Sequence, residues 1–274
     1  MFDRSAVRTY LASRVRALNC AMHLQYLSDL HLEFPDNRAW LRDNPITPVG
    51  DVLVVAGDTH HLGPGFGKLE FWDFCADNFR QTFIIPGNHE YYKGYDLGLN
   101  PLSFREPLRD NVTLLNNQTE EIDGIKLIFS TMWSRIDQKV MEVFRGLYDF
   151  RAIRYEGRSL TVNDFNEVHE ACWTFLKAEI EKPGPKVVIT HHLPSEECNA
   201  PMFKGSALNE GFCIDKTRFI EANDIAAWVY GHSHRNVGDL EIGDTWLLTN
   251  QLGYIGYGEQ KGFNGGRAVR VSVG

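Results

Sequence analysis

Short apolar runs recur along the chain at Leu24–Leu27, Val52–Ala56, Thr82–Ile85, Val187–Thr190 and Ala226–Tyr230. Runs this short and this rich in Val, Ile and Leu predict strands buried on both faces. A different period governs Val162–Lys182. There Phe165, Val168, Cys172, Leu176 and Ile180 recur at helical spacing, and Pro183-Gly184 ends the pattern. Thr161, with Asp164 following it, has the form of a capping box for that helix. Asp123-Gly124 between Glu120–Ile122 and Ile125–Phe129 is a strong type I′ hairpin signal, and Gly243-Asp244 between Val237–Ile242 and Thr245–Leu248 marks a second hairpin. The alternating tail "RAVRVSV" predicts a final strand. Mixed βα units with added hairpins predict an α/β (α+β) fold of two packed sheets with helices outside.

No repeat, low-complexity segment or linker divides the chain, so residues 22–274 are expected to form a single domain. Residues 1–21 are set apart as an N-terminal extension. They carry Arg4, Arg8, Arg14 and Arg16 and lack the apolar stretch of a secretion signal. They resemble a weak Arg-rich transit-like helix. The blander reading is preferred: Met22 is the natural start, because "MHLQYLSDLH" begins a strand at once.

The ends of the apolar runs carry the chemistry. Leu24–Leu27 leads into Ser28-Asp29-Leu30-His31, and Val52–Ala56 into Gly57-Asp58-Thr59-His60-His61. Thr82–Ile85 leads into Pro86-Gly87-Asn88-His89-Glu90, Val187–Thr190 into His191-His192, and Ala226–Tyr230 into Gly231-His232-Ser233-His234. Sites in open α/β sheets gather outside the carboxyl ends of the strands. A lone Asp-x-His means little, and Gly-Asp after a strand is usually a turn. "GNHE" is rarer: at average residue usage it arises by chance in roughly one chain in a thousand of this size. All of these turns in one chain, each directly after a strand, favour a shared site over separate satisfied turns. The glycines before Asp58, Asn88 and His232 suit sharp turns where backbone crowds the site.

Imidazole with carboxylate suits a pair of divalent cations among Mn, Fe, Zn and Co, better than Ca or Mg alone. Cysteine is missing from all of these turns, which argues against a structural zinc site. A carboxylate such as Asp58 can bridge two ions with its two oxygens.

Composition narrows the picture modestly. A formal net charge of -8 over 274 residues gives no basic footprint for nucleic acid. The five cysteines are odd in number and have no CxxC spacing, so reduced thiols in a cytoplasmic protein are expected rather than a disulfide framework. No apolar stretch reaches the roughly 18 residues a membrane span needs, so no membrane partner is expected.

The series Asp29-x-His31, Gly57-Asp58, Gly87-Asn88-His89-Glu90, His191 and Gly231-His232-x-His234 resembles the calcineurin-like metallophosphoesterases, in order and in the long gap before the fourth motif. That resemblance implies a four-layer αββα sandwich with a binuclear metal site. It implies that Asp29, His31, Asp58 and His234 hold the first ion, and Asp58, Asn88, His191 and His232 the second. His192 is then an outer or pocket residue. Purple acid phosphatases have a tyrosine ligand where this chain has His61, and protein phosphatases have an Asp-Arg pair there, so both branches are disfavoured. The remaining pattern is similar to the bacterial phosphodiesterase-like branch. Three roles stay open for His61: outer ligand, orienter of His89, or surface residue.

On this reading the protein is a metal-dependent phosphohydrolase cleaving a phosphodiester or phosphomonoester of a small molecule such as a nucleotide. In-line attack by a metal-bridging hydroxide needs no covalent intermediate. The candidate catalytic residues are Asn88, whose amide oxygen would ligate while its NH2 faces the phosphate, and His89, the general acid for the leaving alkoxide. A nuclease and a non-catalytic metal-binding scaffold are the alternatives, the scaffold disfavoured because every expected ligand is present.

Two further segments bear on the substrate. "STMWSRIDQKVMEVFRGLYDFRAIRYEGRS" holds Trp133, Arg135, Arg145, Tyr148, Arg151, Arg154 and Arg158. It could close over the metals to stack a base or grip a second phosphate. A solvated helix with aromatic anchors is the slightly preferred reading. "PSEECNAPMFKGSALNEGF" after the histidine pair reads as a rim loop, and Tyr91 and Tyr92 as residues lining the pocket or packing beneath it.

Overall fold

The computed structural model describes residues 21–272, so nearly all of the expected extension at 1–21 lies outside the described residues. The first sheet takes β1 (Ala21–Leu27), β2 (Val52–Ala56), β3 (Gln81–Ile85), β4 (Phe104–Arg109) and β5 (Val112–Asn116). The second takes β6 (Gln118–Ile122) and β7 (Ile125–Ser130); β8 (Arg154–Tyr155) and β9 (Arg158–Ser159) form a separate small hairpin. β10 (Lys186–Thr190), β11 (Ala227–Tyr230), β12 (Leu240–Ile242) and β13 (Thr245–Thr249) complete the second sheet, and β14 (Ala268–Ser272) returns to the first. The orders are β14-β1-β2-β3-β5-β4 and β12-β13-β11-β10-β7-β6. In each sheet the four inner strands are parallel and both edge strands antiparallel.

Every side chain of β2 and β10 is buried, as the continuous apolar runs require. Alternate residues serve two layers. Val52, Val54 and Phe83 of the first sheet meet Leu127, Phe129, Val187 and Ile189 of the second in a core between the sheets. Leu53, Val55 and Ile84 point the other way, toward Trp72 and Cys75. Ile128, Val188 and Trp228 pack outward against Leu176, Ile180 and Ile220. The helices are α1 (Pro35–Asp43), α2 (Glu70–Asn78), α3 (Val140–Gly146), α4 (Asp149–Ala152), α5 (Val162–Ile180) and α6 (Thr217–Glu221), of which α2, α5 and α6 supply these outer residues. The result is the expected αββα layering.

Several boundaries move. The strand expected from Ala226 begins at Ala227, the helix expected to reach Lys182 ends at Ile180, and the strand expected over Val237–Ile242 shortens to Leu240–Ile242. The Asp123-Gly124 turn has φ 54° and 79°, the double left-handed geometry of a type I′ hairpin. The segment 130–159 holds two short helices and the β8–β9 hairpin in place of one solvated helix, with Trp133 fully buried as an anchor.

The capping box of α5 is formed. Thr161 Oγ1 accepts from Asp164 N at 3.3 Å, and Thr161 N donates to Asp164 Oδ2 at 2.8 Å. Arg158 also donates to both Asp164 oxygens, at 2.5 and 2.8 Å, and these bonds hold the carboxyl at about 2. A carboxyl depressed in the folded state stabilises above its ordinary value near 4 and loses that contribution as pH falls toward about 2. Asp164→Asn is therefore expected to cost about 1 kcal/mol at neutral pH in urea unfolding, the exposed arginine adding little. The difference from wild type should shrink as pH falls below about 4 and be lost only below about pH 2.

Candidate metal centre

β1, β2 and β3 lie side by side and parallel in one sheet, and β10 and β11 in the other. Their carboxyl ends open onto one edge of the sandwich, where loop backbones knit together. Asp29 N donates to Gly57 O, His31 N to Asp58 O, and Gly231 N to His191 O. The turns are tight enough to force unusual backbone. Asp29, His31, Asp58, His232 and His234 all have φ between 46° and 75°, the left-handed region that non-glycine residues seldom occupy. Strain of this kind concentrates where a structure must aim side chains. Gly57 has φ 89°, and a Cβ there would lie 2.5 Å from His191 Nδ1. Gly87 has no positive φ; its constraint is space, since a Cβ would lie 2.6 Å from His191 Nε2 and closer still to Asp58 Oδ1.

Two buried clusters result. One donor atom from each of Asp29, His31, Asp58 and His234 lies within 4.8 Å of the others, and the same holds for Asp58, His191 and His232. Asn88 joins the second cluster through Oδ1, 3.1 Å from His191 Nε2. Asp58 stands between them, with Oδ2 3.7 Å from His31 Nε2 and Oδ1 3.4 Å from His191 Nε2. The structure thus brings together the residues of each set that the family resemblance implied.

The hydrogen bonds around the imidazoles determine what the centre can hold. His31 Nδ1 faces Glu33 Oε1 at 3.1 Å, and His234 Nδ1 faces Glu259 Oε2 at 2.7 Å. A carboxylate only accepts, so each Nδ1 carries a proton and each neutral ring turns its Nε2 lone pair inward. Those Nε2 atoms are 2.9 Å apart. In the second cluster His191 Nδ1 donates to Ala56 O at 2.8 Å, so the Nε2 of a neutral ring likewise offers a lone pair toward Asn88 Oδ1. Lone pairs facing at such distances repel unless a cation lies among them. Without metal, protons fill that role. Burial disfavours charge on His191 and His234, yet Asp58 outweighs it and pushes His191 up to about 9, while Asp29 and Glu259 push His234 up to about 10. His232 goes the other way, to about 3, through burial and the neighbouring His191. A buried pocket of carboxylates and imidazoles that recruits positive charge fits divalent cations.

His89 lies at the edge of the clusters. Its backbone N donates to Asp58 Oδ1 at 2.9 Å, its Nδ1 faces Glu33 Oε1 at 2.9 Å, and its Nε2 faces the Tyr254 hydroxyl at 2.9 Å. Burial opposes a charge on this ring, but Asp58 and Glu33 outweigh it and raise its pKa. Glu33 is itself held down to about 2: the hydrogen bonds from His31 and His89 overcome its burial.

Asn88 departs from expectation. Its Nδ2 donates to Asp149 Oδ1 at 2.8 Å and lies 3.2 Å from the Tyr92 hydroxyl, so the NH2 expected to face the phosphate is held by protein instead. Asp149 is buried, which raises its pKa, and it fixes which way the amide points. Glu90 accepts from Gly87 N, Asp58 N and Thr59 N at 2.7 to 3.0 Å, pinning two turns together. Burial and the nearby Asp58 push its carboxyl up to about 8. His192 stacks flat on His232 at 4.2 Å and 14°, and its Nδ1 accepts from Ser134 N. Of the roles open to His61, none involving a bond to His89 survives, since both nitrogens of His89 are engaged elsewhere. His61 belongs to no cluster and lines the adjoining cleft. Tyr91 packs in the core, whereas Tyr92 lines the site.

A cavity of about 330 Å³ covers the clusters, with Asp58, Asn88, His232 and His234 on its floor side and Tyr148, Phe203 and Phe212 among its walls. Tyr148 belongs to the segment flagged for pocket closure, and Phe203 and Phe212 to the expected rim loop. Four arginines of that segment serve elsewhere. Arg135 pairs with Asp137 and Glu170, Arg158 with Asp164, and Arg151 and Arg154 donate to backbone carbonyls.

The profile of the calcineurin-like phosphoesterases matches residues 22–236. An uncharacterized protein of Acanthamoeba polyphaga mimivirus is 29% identical over 263 residues, covering 84% of this chain and 91% of that protein. Among solved structures, the phosphopantetheinyl hydrolase from Mycobacterium tuberculosis superposes with a TM-score of 0.66 at 15% identity, covering 92% of this chain and 96% of that one. At that identity the likeness is one of fold.

Proposed function

The chain belongs to the calcineurin-like phosphoesterases, a family of metal-dependent phosphoester hydrolases, and from that premise we propose that its two clusters hold a binuclear centre hydrolysing a small phosphomonoester or phosphodiester. The supporting observation is the convergence of imidazole and amide lone pairs at 2.9 and 3.1 Å around the shared Asp58. Asp29, His31, Asp58 and His234 would hold one cation, and Asp58, Asn88, His191 and His232 the other, with Mn, Fe, Zn and Co all suited to the donors. Two such ions would supply an ionised water near neutral pH and neutralise the phosphoryl oxygens.

The chain's own groups do the rest. Glu33, Glu259 and the Ala56 carbonyl fix the tautomers of His31, His234 and His191, and Asp149 aims the Asn88 oxygen. His89 is the general acid: Glu33 holds its Nδ1, leaving Nε2 to protonate the departing oxygen once the Tyr254 hydroxyl yields. Among the described residues no Lys or Arg lines the cavity over the clusters, and the net charge is -8, which favours a small ester over a nucleic-acid track. Cys75, Cys172, Cys198 and Cys213 are free and buried, consistent with a reducing, cytoplasmic setting.

Protein treated with chelator should lose hydrolysis of mono- and bis-(4-nitrophenyl) phosphate, and Mn²⁺ should restore it. Metal bound with neither ester turned over would reject the hydrolase and leave a metal-binding scaffold of the same fold.

A further inference from the structure

A second cleft, of about 800 Å³, opens on the far side of His89. His89, Tyr92, Tyr148 and Tyr254 line both this cleft and the cavity over the clusters, so the two spaces share one wall. The rest of the cleft is strongly aromatic. Phe34, Tyr148 and Tyr257, which line it, are 42%, 62% and 82% exposed, so large ring faces stand open around one mouth. The rings brace one another: Phe34 lies edge-on to Tyr254 at 5.4 Å, Tyr254 to Tyr257 at 5.9 Å, and Tyr92 to Tyr148 at 5.6 Å. Among the described residues the charged groups of the lining are Glu33, Asp36 and Lys93, and the other titratable side chains besides the tyrosines are His61 and His89. Two carboxylates against one ammonium disfavour a second phosphate there.

We propose that this cleft is the leaving-group subsite, and that it takes an uncharged planar heteroaromatic group of the nucleobase type carried on the departing alcohol. The proposal rests on the hydrolase reading for its orientation. A phosphoryl group over the clusters must present its leaving oxygen to His89, and whatever that oxygen carries then extends past His89 into the aromatic cleft. Exposed tyrosine and phenylalanine faces are suited to stacking such a group, and stacking of one base typically changes affinity by about tenfold or more. The substrate class is therefore an ester whose alcohol bears a base-like ring.

Binding can be tested apart from turnover. The Mn²⁺-loaded full chain is titrated calorimetrically with adenosine and, separately, with ribose, which lacks the ring. Adenosine is expected to bind at least about tenfold tighter than ribose. The Tyr148→Ala/Tyr257→Ala double variant should lose at least about tenfold of adenosine affinity while keeping its thermal midpoint, both side chains being largely exposed. Equal binding of adenosine and ribose, no binding of either, or wild-type adenosine affinity in the double variant overturns the subsite. Hydrolysis of mono- and bis-(4-nitrophenyl) phosphate is assayed on the same samples: absence of both in the wild type removes the hydrolase reading, while the titration still decides the cleft.

Discussion

Replacing Asp58 by alanine is expected to strip the protein of bound metal and to bring ester hydrolysis down to background. Asp58 is the one side chain common to both clusters, with Oδ2 toward His31 and Oδ1 toward His191. It is also the acid that does most to draw positive charge onto His191, so its loss removes an anionic donor and leaves Asn88, His191 and His232 with no carboxylate of their own. Loss of groups that merely support a ligand typically costs 10- to 100-fold in metal affinity or activity, so loss of a shared ligand should cost more than about 100-fold. Elemental analysis of the dialysed variant checks the first half of the expectation and nitrophenyl ester turnover the second. Full metal content in the variant would show that Asp58 is no bridge.

The second large effect is expected at His89, and it should look different. His89→Ala should lower turnover by about 10²- to 10⁴-fold while metal content stays at the wild-type level. The structure gives a reason for the separation. Residue 89 is hydrogen-bonded to the clusters through its backbone N–H to Asp58 Oδ1, which alanine keeps, and its ring meets His31 only edge-to-face at 4.5 Å. The imidazole reaches only Glu33 and Tyr254 with its nitrogens, and Glu33 retains its bond to His31. Because the lost group is a proton donor, the deficit should be smaller for a nitrophenolate leaving group than for an alkyl alcohol. Metal loss in this variant, or equal deficits for both leaving groups, would remove His89 from the role of general acid.

Much of this clustering was legible in the sequence because each group of donor residues follows closely on a buried strand. Val52–Ala56 was readable to the residue: its apolar run is continuous and Gly57 ends it abruptly. The supporting groups were not readable. Glu33 is one more acid after His31, and nothing in its spacing shows that it serves two histidines. Tyr254 and Glu259 come from the connection between β13 and β14, which has no period to place it. Asp149 lay in a segment noted for its arginines, and only tertiary packing reveals that the acid faces Asn88 while the arginines face away. α1 and α2 escaped because their patterns are short, though Pro35 in the first turn of α1 and Arg42 in its last are ordinary helix signals.

Each cluster draws from both sheets: Asp29, His31 and Asp58 from the first with His234 from the second, and Asp58 and Asn88 with His191 and His232. An ion in either place is thus a rivet through the two halves of the sandwich. Ligand that binds only the folded chain raises its stability in proportion to the logarithm of occupancy. The left-handed turns at Asp29, His31, Asp58, His232 and His234 are the part of the molecule that rivet would hold shut. The reagent that starts the chemistry would also keep the two sheets from parting at their open edge.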